Sequence, residues 1–331
     1  MIEESAMQNA TNTFDMPLSG LESREAWLAK VSDLVDEDGY AERLDDRHSA
    51  IFVEDGKTLL VTFETHDSIA RLSEDGQPLG WDMVKALGWS HLCLLSDGDT
   101  WFRAPRVYGY FDRLIDDGFF EDFDQVIFYG AGACGYAAAA FSVAAPGARL
   151  VLVQPQATLD PRVAEWDDRY RHMRRTSFTD RYGYAPDMID AAQEVFLLYD
   201  PEIELDAMHA SLFTRSNVTK FRMRHMGPDL ETVLMQMQLL YRILAQLSAD
   251  KLTVPNLARL FRNRREHPGY QFGLLQRLTG ANRDRLTIRL ADFVLERRNG
   301  RPFRKAREAA EARLADAAAA QHRSETSDTQ D

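Results

Sequence analysis

Cysteine is almost missing from this chain. Its 331 residues contain two, Cys93 and Cys134, far apart in sequence and each in apolar surroundings. That pattern argues against a disulfide framework and against a cysteine-built zinc site, and it fits a reducing compartment. A long apolar run is missing too. Spanning a bilayer takes roughly 20 consecutive apolar residues, and the longest stretch here, near Ala137–Ala145, is short and rich in alanine. The first residues, MIEESAMQNATNTFDMPLSG, have neither the basic start nor the apolar middle of a secretory signal. The expected location is the cytoplasm, with no membrane partner. Positive charge is scarce: 39 Lys and Arg stand against 52 Asp and Glu, a net charge of −13, which speaks against general nucleic-acid binding.

The positive charge that is present is concentrated. Residues 251–307 carry fifteen Lys and Arg against four Asp and Glu. The densest cluster is Arg297-Arg298, Arg301, Arg304-Lys305 and Arg307. Phe303 is the one aromatic residue inside it, so base stacking is poorly served. Solvated helix faces are the expected reading. An interaction protein working through these basic C-terminal helices is the alternative.

With 45% hydrophobic residues, a substantial core can be buried. Residues 1–20 read as a loose leader, and residues 21–46 as an amphipathic helix on Trp27, Leu28, Val31, Leu34 and Val35. Ala50–Val53 and Thr58–Phe63 flank Asp55-Gly56, which predicts a hairpin. Further strands are expected at Trp89–Leu95, Gln125–Tyr129, Leu150–Val153, Val195–Tyr199 and Val218–Arg222. Helices are expected between them at Val107–Asp117, Ala133–Ala145, Ala164–Met173, Met188–Gln193 and Ala207–Phe213. This alternation predicts an α/β fold with a mostly parallel sheet covered on both faces. Beyond it the chain turns helical, with an unbroken helix over Leu230–Ala249 and others at Pro255–Arg265, Arg285–Arg298 and Arg304–Ala320. The expected domains are 1–46, leader and helix; 47–228, the α/β domain; 229–320, a helical extension; and 321–331, a disordered tail.

One turn carries the functional argument. A buried strand runs into Gly130-Ala131-Gly132-Ala133-Cys134-Gly135, and an alanine-rich helix follows. Small residues allow a sharp reversal, and the helix start aims its free N–H groups at whatever lies above. Gly130-x-Gly132-x-x-Gly135 has the spacing of a dinucleotide fingerprint. It falls well into the chain, however, and lacks the acidic residue expected some 20 positions later, so no cofactor is expected. His66-Asp67 and His209 offer metal donors, but no paired histidine spacing on one helix supports them, and no metal is expected.

Tyr129-Gly130-Ala131-Gly132-Ala133-Cys134-Gly135-Tyr136-Ala137-Ala138 resembles the elbow Y-G-x-S-x-G-G-Y-A-A of bacterial esterase-like members of the α/β-hydrolase fold. The resemblance covers roughly residues 48–240 and puts Gly132 at the serine position, with Cys134 at the first of the two glycines. It implies an acid after the strand Val195–Tyr199, Asp206 ahead of Asp200, and a base at His225 after the last strand. It also implies a ligand pocket at Gly130, Gly132 and Ala133, with Glu64 and Thr65 in the loop that lends an oxyanion N–H. Glycine has no hydroxyl to attack a carbonyl, and a carboxylate at Glu64 would repel an oxyanion. The leading expectation is therefore a hydrolase-like pseudoenzyme with a lost or altered nucleophile. It would bind a small ester-like or carbohydrate ligand, or a protein partner, and homo-oligomerisation stays open. The alternative is an active ester hydrolase using Cys134 with His225, so whether the chain is an enzyme is left open.

Overall fold

The computed structural model describes residues 14, 16–21 and 23–327, with side chains as far as residue 320. Most of the expected leader and the last four residues lie outside the described residues.

The strands are β1 (Gly39–Arg43), β2 (His48–Val53), β3 (Thr58–Thr65), β4 (Ser90–Ser96), β5 (Gln125–Ala131), β6 (Arg149–Val153), β7 (Glu194–Tyr199) and β8 (Val218–Arg222). They form one sheet in the order β1-β2-β4-β3-β5-β6-β7-β8. β1 and β2 are antiparallel to their neighbours, and the pairs from β4 to β8 are parallel. The central strands read as continuous apolar runs because both of their faces are covered.

The helices of the sheet region are α1 (Arg24–Val35), α2 (His66–Leu72), α3 (Trp81–Leu87), α4 (Pro105–Asp116), α5 (Ala133–Phe141), α6 (Pro161–Ala164), α7 (Ala185–Met188), α8 (Glu204–Leu212), α9 (Leu230–Gln236) and α10 (Leu240–Ser248). Then come α11 (Val254–Phe261), α12 (Pro268–Gly280), α13 (Asp284–Leu295) and α14 (Arg301–Ser327). Alternate residues of each strand face opposite sides. Val61 and Phe63 of β3, with Leu92 and Leu94 of β4, enter the larger core with Phe111 and Phe141. Ile51, Cys93 and Leu95 enter the smaller one with Val31 and Trp81. The rings of Phe111 and Phe141 stack at 4.5 Å.

Several expectations are corrected. The helix expected over 21–46 stops at Val35, and after Asp36-Glu37-Asp38 the chain enters β1, an edge strand too short and too charged to show an alternating pattern. The expected hairpin does not form. β4 lies between β2 and β3 and pairs with both, and the Asp55-Gly56 turn is fastened to its start by Ser90, whose hydroxyl accepts from Asp55 N and donates to Gly56 O. The helix expected over 230–249 breaks into α9 and α10 at Gln238, which has φ 55°, without a proline or glycine to announce it. The helices expected at 164–173 and 188–193 do not form: α6 ends where the first was to begin, a 3-10 turn follows at Arg171–Arg175, and α7 ends at Met188, with Pro161, Pro186 and the Asp160 cap setting these short turns. In the tail, α14 continues to Ser327.

The chain divides into two compact units, the first ending at Leu257 and the second beginning at Ala258. The first unit thus reaches past the expected boundary at residue 228 and includes α9 and α10. Arg149 of β6 shows why: its guanidinium donates to Leu247 O at 2.8 Å and to Asp250 Oδ1 at 3.2 Å. The second unit has a small core of its own, built on Leu275, Ala291, Val294 and Phe303.

Candidate functional site

At the end of β5 the chain turns straight into α5 through Gly132, with φ 57° and ψ −120°. Residues with a Cβ seldom adopt that conformation. A Cβ on Gly130 would run into Cys134 O at 2.2 Å, so the turn also needs a glycine two positions earlier. At Gly132 itself the space is open. A Cβ there would meet one atom within 4 Å, Gln156 Nε2 at 3.9 Å. Trp101 Nε1–H donates to Gln156 Oε1 at 3.2 Å, which aims the amide nitrogen at the turn.

Above Gly132 lies a cavity of about 210 Å³. Ala131, Gly132, Ala133 and Cys134 form part of its lining, and first-turn N–H groups of a helix have no intrahelical acceptor. Around them stand Arg71 and Arg169, Asp99, Asp206, Asp229 and Glu231, with Gln154 and Gln156. Both arginines are paired with carboxylates of the lining. Arg169 bonds Asp206 Oδ1 and Asp167 Oδ2 at 2.7 and 2.8 Å. Arg71 bonds Asp229 Oδ2 at 2.8 Å and lies 3.6 Å from Glu231. Tyr129 O–H donates to Glu231 Oε1 at 2.6 Å. Burial pushes the Glu231 carboxyl up, against the lowering effect of Tyr129 and Arg71.

A chain of buried hydrogen bonds stands behind Arg169. Asp167 accepts from His209 Nε2 at 2.9 Å, and His209 Nδ1 accepts from Ala157 N at 3.2 Å. Burial acts to raise Asp167, but the bonds from His209 and Arg169 outweigh it and hold the carboxyl well below the usual range. Gln154, with φ 47°, donates to Asp206 Oδ2 and accepts from Leu230 N, tying the end of β6 to α8 and α9.

The sequence-derived residues divide. Thr65, Gly132, Ala133, Cys134 and Asp206 line this cavity. Gly130 supports the turn from below. Glu64 does not line it. On β3 it alternates with Phe63, which does, and its carboxylate is buried against Thr62, Leu79 N and Cys93 on the other face of the sheet. Burial pushes Glu64 up to about 7. Thr65 N–H is taken by Ser68 Oγ in the cap of α2. His225 is not brought to the cavity. Its Nδ1 lies 2.7 Å from Glu202 Oε1. Asp200 accepts from the backbone of Met226 and Gly227, which fixes the loop after β8. Among the described residues, no histidine lines the cavity. Cys134 lines it, but burial pushes its thiol well up. Arg71, Arg169, Asp99 and Glu231, which line the cavity, were not foreseen. They come from distant segments, and no local spacing announces them.

A parallel sheet in this strand order, with a sharp strand-to-helix turn at the end of β5, decides the fold. It is an α/β-hydrolase-type sheet. No protein-family model matches the sequence, and no curated protein matches it. Solved structures similar to it include Est1E from Butyrivibrio proteoclasticus, at 11% identity over 64% of this chain and 99% of that one, TM-score 0.38. A capsule O-acetyltransferase of Neisseria meningitidis serogroup A is similar at 12% over 59% and 90%, TM-score 0.39. FphF, a fluorophosphonate-binding serine hydrolase of Staphylococcus aureus, is similar at 10% over 62% and 98%, TM-score 0.38. Among the described residues, no helix is long and apolar enough to cross a membrane.

Proposed function

We propose that this chain is a hydrolase-type scaffold without acyl-transfer chemistry, whose cavity above Gly132 binds a small hydroxyl-rich ligand of the carbohydrate class. The carrying observation is Gly132. It holds the strained elbow conformation that presents a nucleophile in this fold, with open space above it and no side chain to attack.

The surroundings support the same reading. Acyl transfer needs a base beside the nucleophile and donors for an oxyanion. His225 is engaged with Glu202 away from the cavity, and Thr65 N–H is spent on a cap. For Cys134 to replace the serine, its thiol would have to ionise, and burial drives it the other way. The lining instead combines held donors (Arg71, Arg169, Gln156) with held acceptors (Asp206, Glu231). Hydroxyl groups both donate and accept, and they suit such a lining better than an apolar acyl chain does.

Trp101 provides the test, since its indole holds Gln156 and packs edge-on to Tyr170 at 4.7 Å. Titration with a panel of neutral and acidic mono- and oligosaccharides is expected to change tryptophan emission saturably. The response should weaken at least about tenfold in Glu231→Gln, through one lost charged hydrogen bond. A panel without response, alongside turnover of a short-chain ester, would overturn the reading.

A further inference from the structure

We propose that Glu64, His91 and Cys93 form a binding site for a borderline-soft divalent cation of the zinc class, on the face of the sheet away from the larger core. The inference does not rest on the function proposed above, and none of its three ligands lines the cavity above Gly132. β3 and β4 are parallel neighbours, with Thr62 opposite Cys93 and Leu60 opposite His91. This register gathers a carboxylate, an imidazole and a thiol whose donor atoms all lie within 4.8 Å of one another. Cys93 Sγ and Glu64 Oε1 are 3.7 Å apart. Two donors of one tetrahedral zinc, at about 2.3 and 2.0 Å from it, stand roughly 3.5 Å apart. One sulfur, one nitrogen and one oxygen suit zinc better than magnesium or calcium, which take oxygen alone.

His91 itself points to a missing partner. The two other buried histidines among the described residues are satisfied at both ring nitrogens: His209 by Asp167 and Ala157 N, His48 by Asp45 and Thr100. His91 is 0% exposed, yet its Nδ1 has no hydrogen-bond partner. Its Nε2 has only Thr62 Oγ1, at 2.9 Å, and that hydroxyl donates to Glu64 Oε1 at 2.6 Å. A buried ring left short of partners is costly, and a bound cation would use it. The ring is held in place as well, since a Cβ on Gly80 would lie 2.1 Å from it. Thr62 then bridges two ligands and orients both, as outer-shell groups do around metals.

Entry is provided. Glu64 lines a second cavity of about 310 Å³, together with Glu74, Asp75, Asp82 and Glu231. Lys85 and Arg71 offset two of these carboxylates. Among its described lining there is no basic side chain, so the field at the mouth favours a cation. The sequence could not show this site, because its ligands face one another across two strands rather than along one helix.

Cobalt(II) titration of the purified, chelator-treated full chain tests it, read by the near-ultraviolet thiolate-to-cobalt band. The expected result is a band saturating at one equivalent in the wild type and in Cys134→Ala, absent in Cys93→Ala, with affinity lowered about 10–100-fold in Thr62→Val. With two cysteines in the chain, a band in Cys134→Ala can come only from Cys93, so the result stands even if Cys93→Ala fails to fold. No thiolate band in the wild type, or one that disappears in Cys134→Ala, would overturn the proposal.

Discussion

At Gly132, backbone and side chain make opposite demands. The turn wants a residue free of Cβ strain, while esterase chemistry in this fold wants a serine. Gly132→Ser should fold, since the nearest atom to the new Cβ is 3.9 Å away, at a cost of about 1–3 kcal/mol for the strained backbone. It should gain no esterase activity, because no histidine among the described residues stands at the cavity to take the proton. Equilibrium urea unfolding and a nitrophenyl acetate assay check the two halves. Asp167 gives a second prediction. Its folded carboxyl sits below its ordinary value of 3.8, so the stability it contributes is present above that value and is lost as pH falls below it. Unfolding measured from pH 6 down to pH 2 should show this loss, and Asp167→Ala should remove that part of the acid sensitivity. At neutral pH the same variant should cost about 3 kcal/mol, since it leaves buried His209 Nε2 without its acceptor and removes one of the two carboxylates that hold Arg169. The elbow glycines, Cys134 and Asp206 were legible in the sequence, because a strand, a small-residue turn and a helix are contiguous. Arg71, Arg169 and Glu231 were not, since each reaches the cavity by tertiary packing alone.

Among the elements, the segment between β6 and β7 does the most to shape the site. Residues 154–193 leave the sheet and return, carrying Gln154, Gln156, Asp167, Arg169 and Tyr170. Short helices and proline turns, rather than one amphipathic helix, build it, so periodicity misjudged its helices. Periodicity served the strands better. Leu150–Val153 and Val195–Tyr199 are buried runs whose identity did not depend on partners. The Asp55-Gly56 turn failed as a hairpin signal because turn chemistry says nothing of a strand inserted later from β4. α10 is bound to the sheet through Arg149, which is 8% exposed, and α9 through Gln154, which accepts from Leu230 N. Arg149→Ala should therefore destabilise the first unit by about 2 kcal/mol, read as a lower urea midpoint, because it leaves Leu247 O without its donor. A change within about 0.5 kcal/mol would mean that α10 is held by its apolar face alone.

For the whole molecule, the division after Leu257 separates the two cores on the faces of the sheet from the helical core of the second unit. The cavity and its charged lining belong entirely to the first. A chain ending at Phe261, the last residue of α11, should keep the saccharide-dependent change in tryptophan emission with an unchanged midpoint. Loss of that response in a truncated chain that still unfolds cooperatively would move the function towards the basic helices. In the second unit the cationic residues are partly committed already. Arg307 pairs with Asp292 and Glu311, and Arg313 with Asp284. The central claim is that the elbow keeps its shape and has lost its nucleophile. Its most direct test is intact-mass measurement of the native chain after incubation with a fluorophosphonate, beside turnover of a short-chain nitrophenyl ester. The account predicts an unmodified mass and the buffer rate of hydrolysis. A stoichiometric adduct with turnover that disappears in His225→Ala or Cys134→Ala would contradict it and make the chain a working hydrolase.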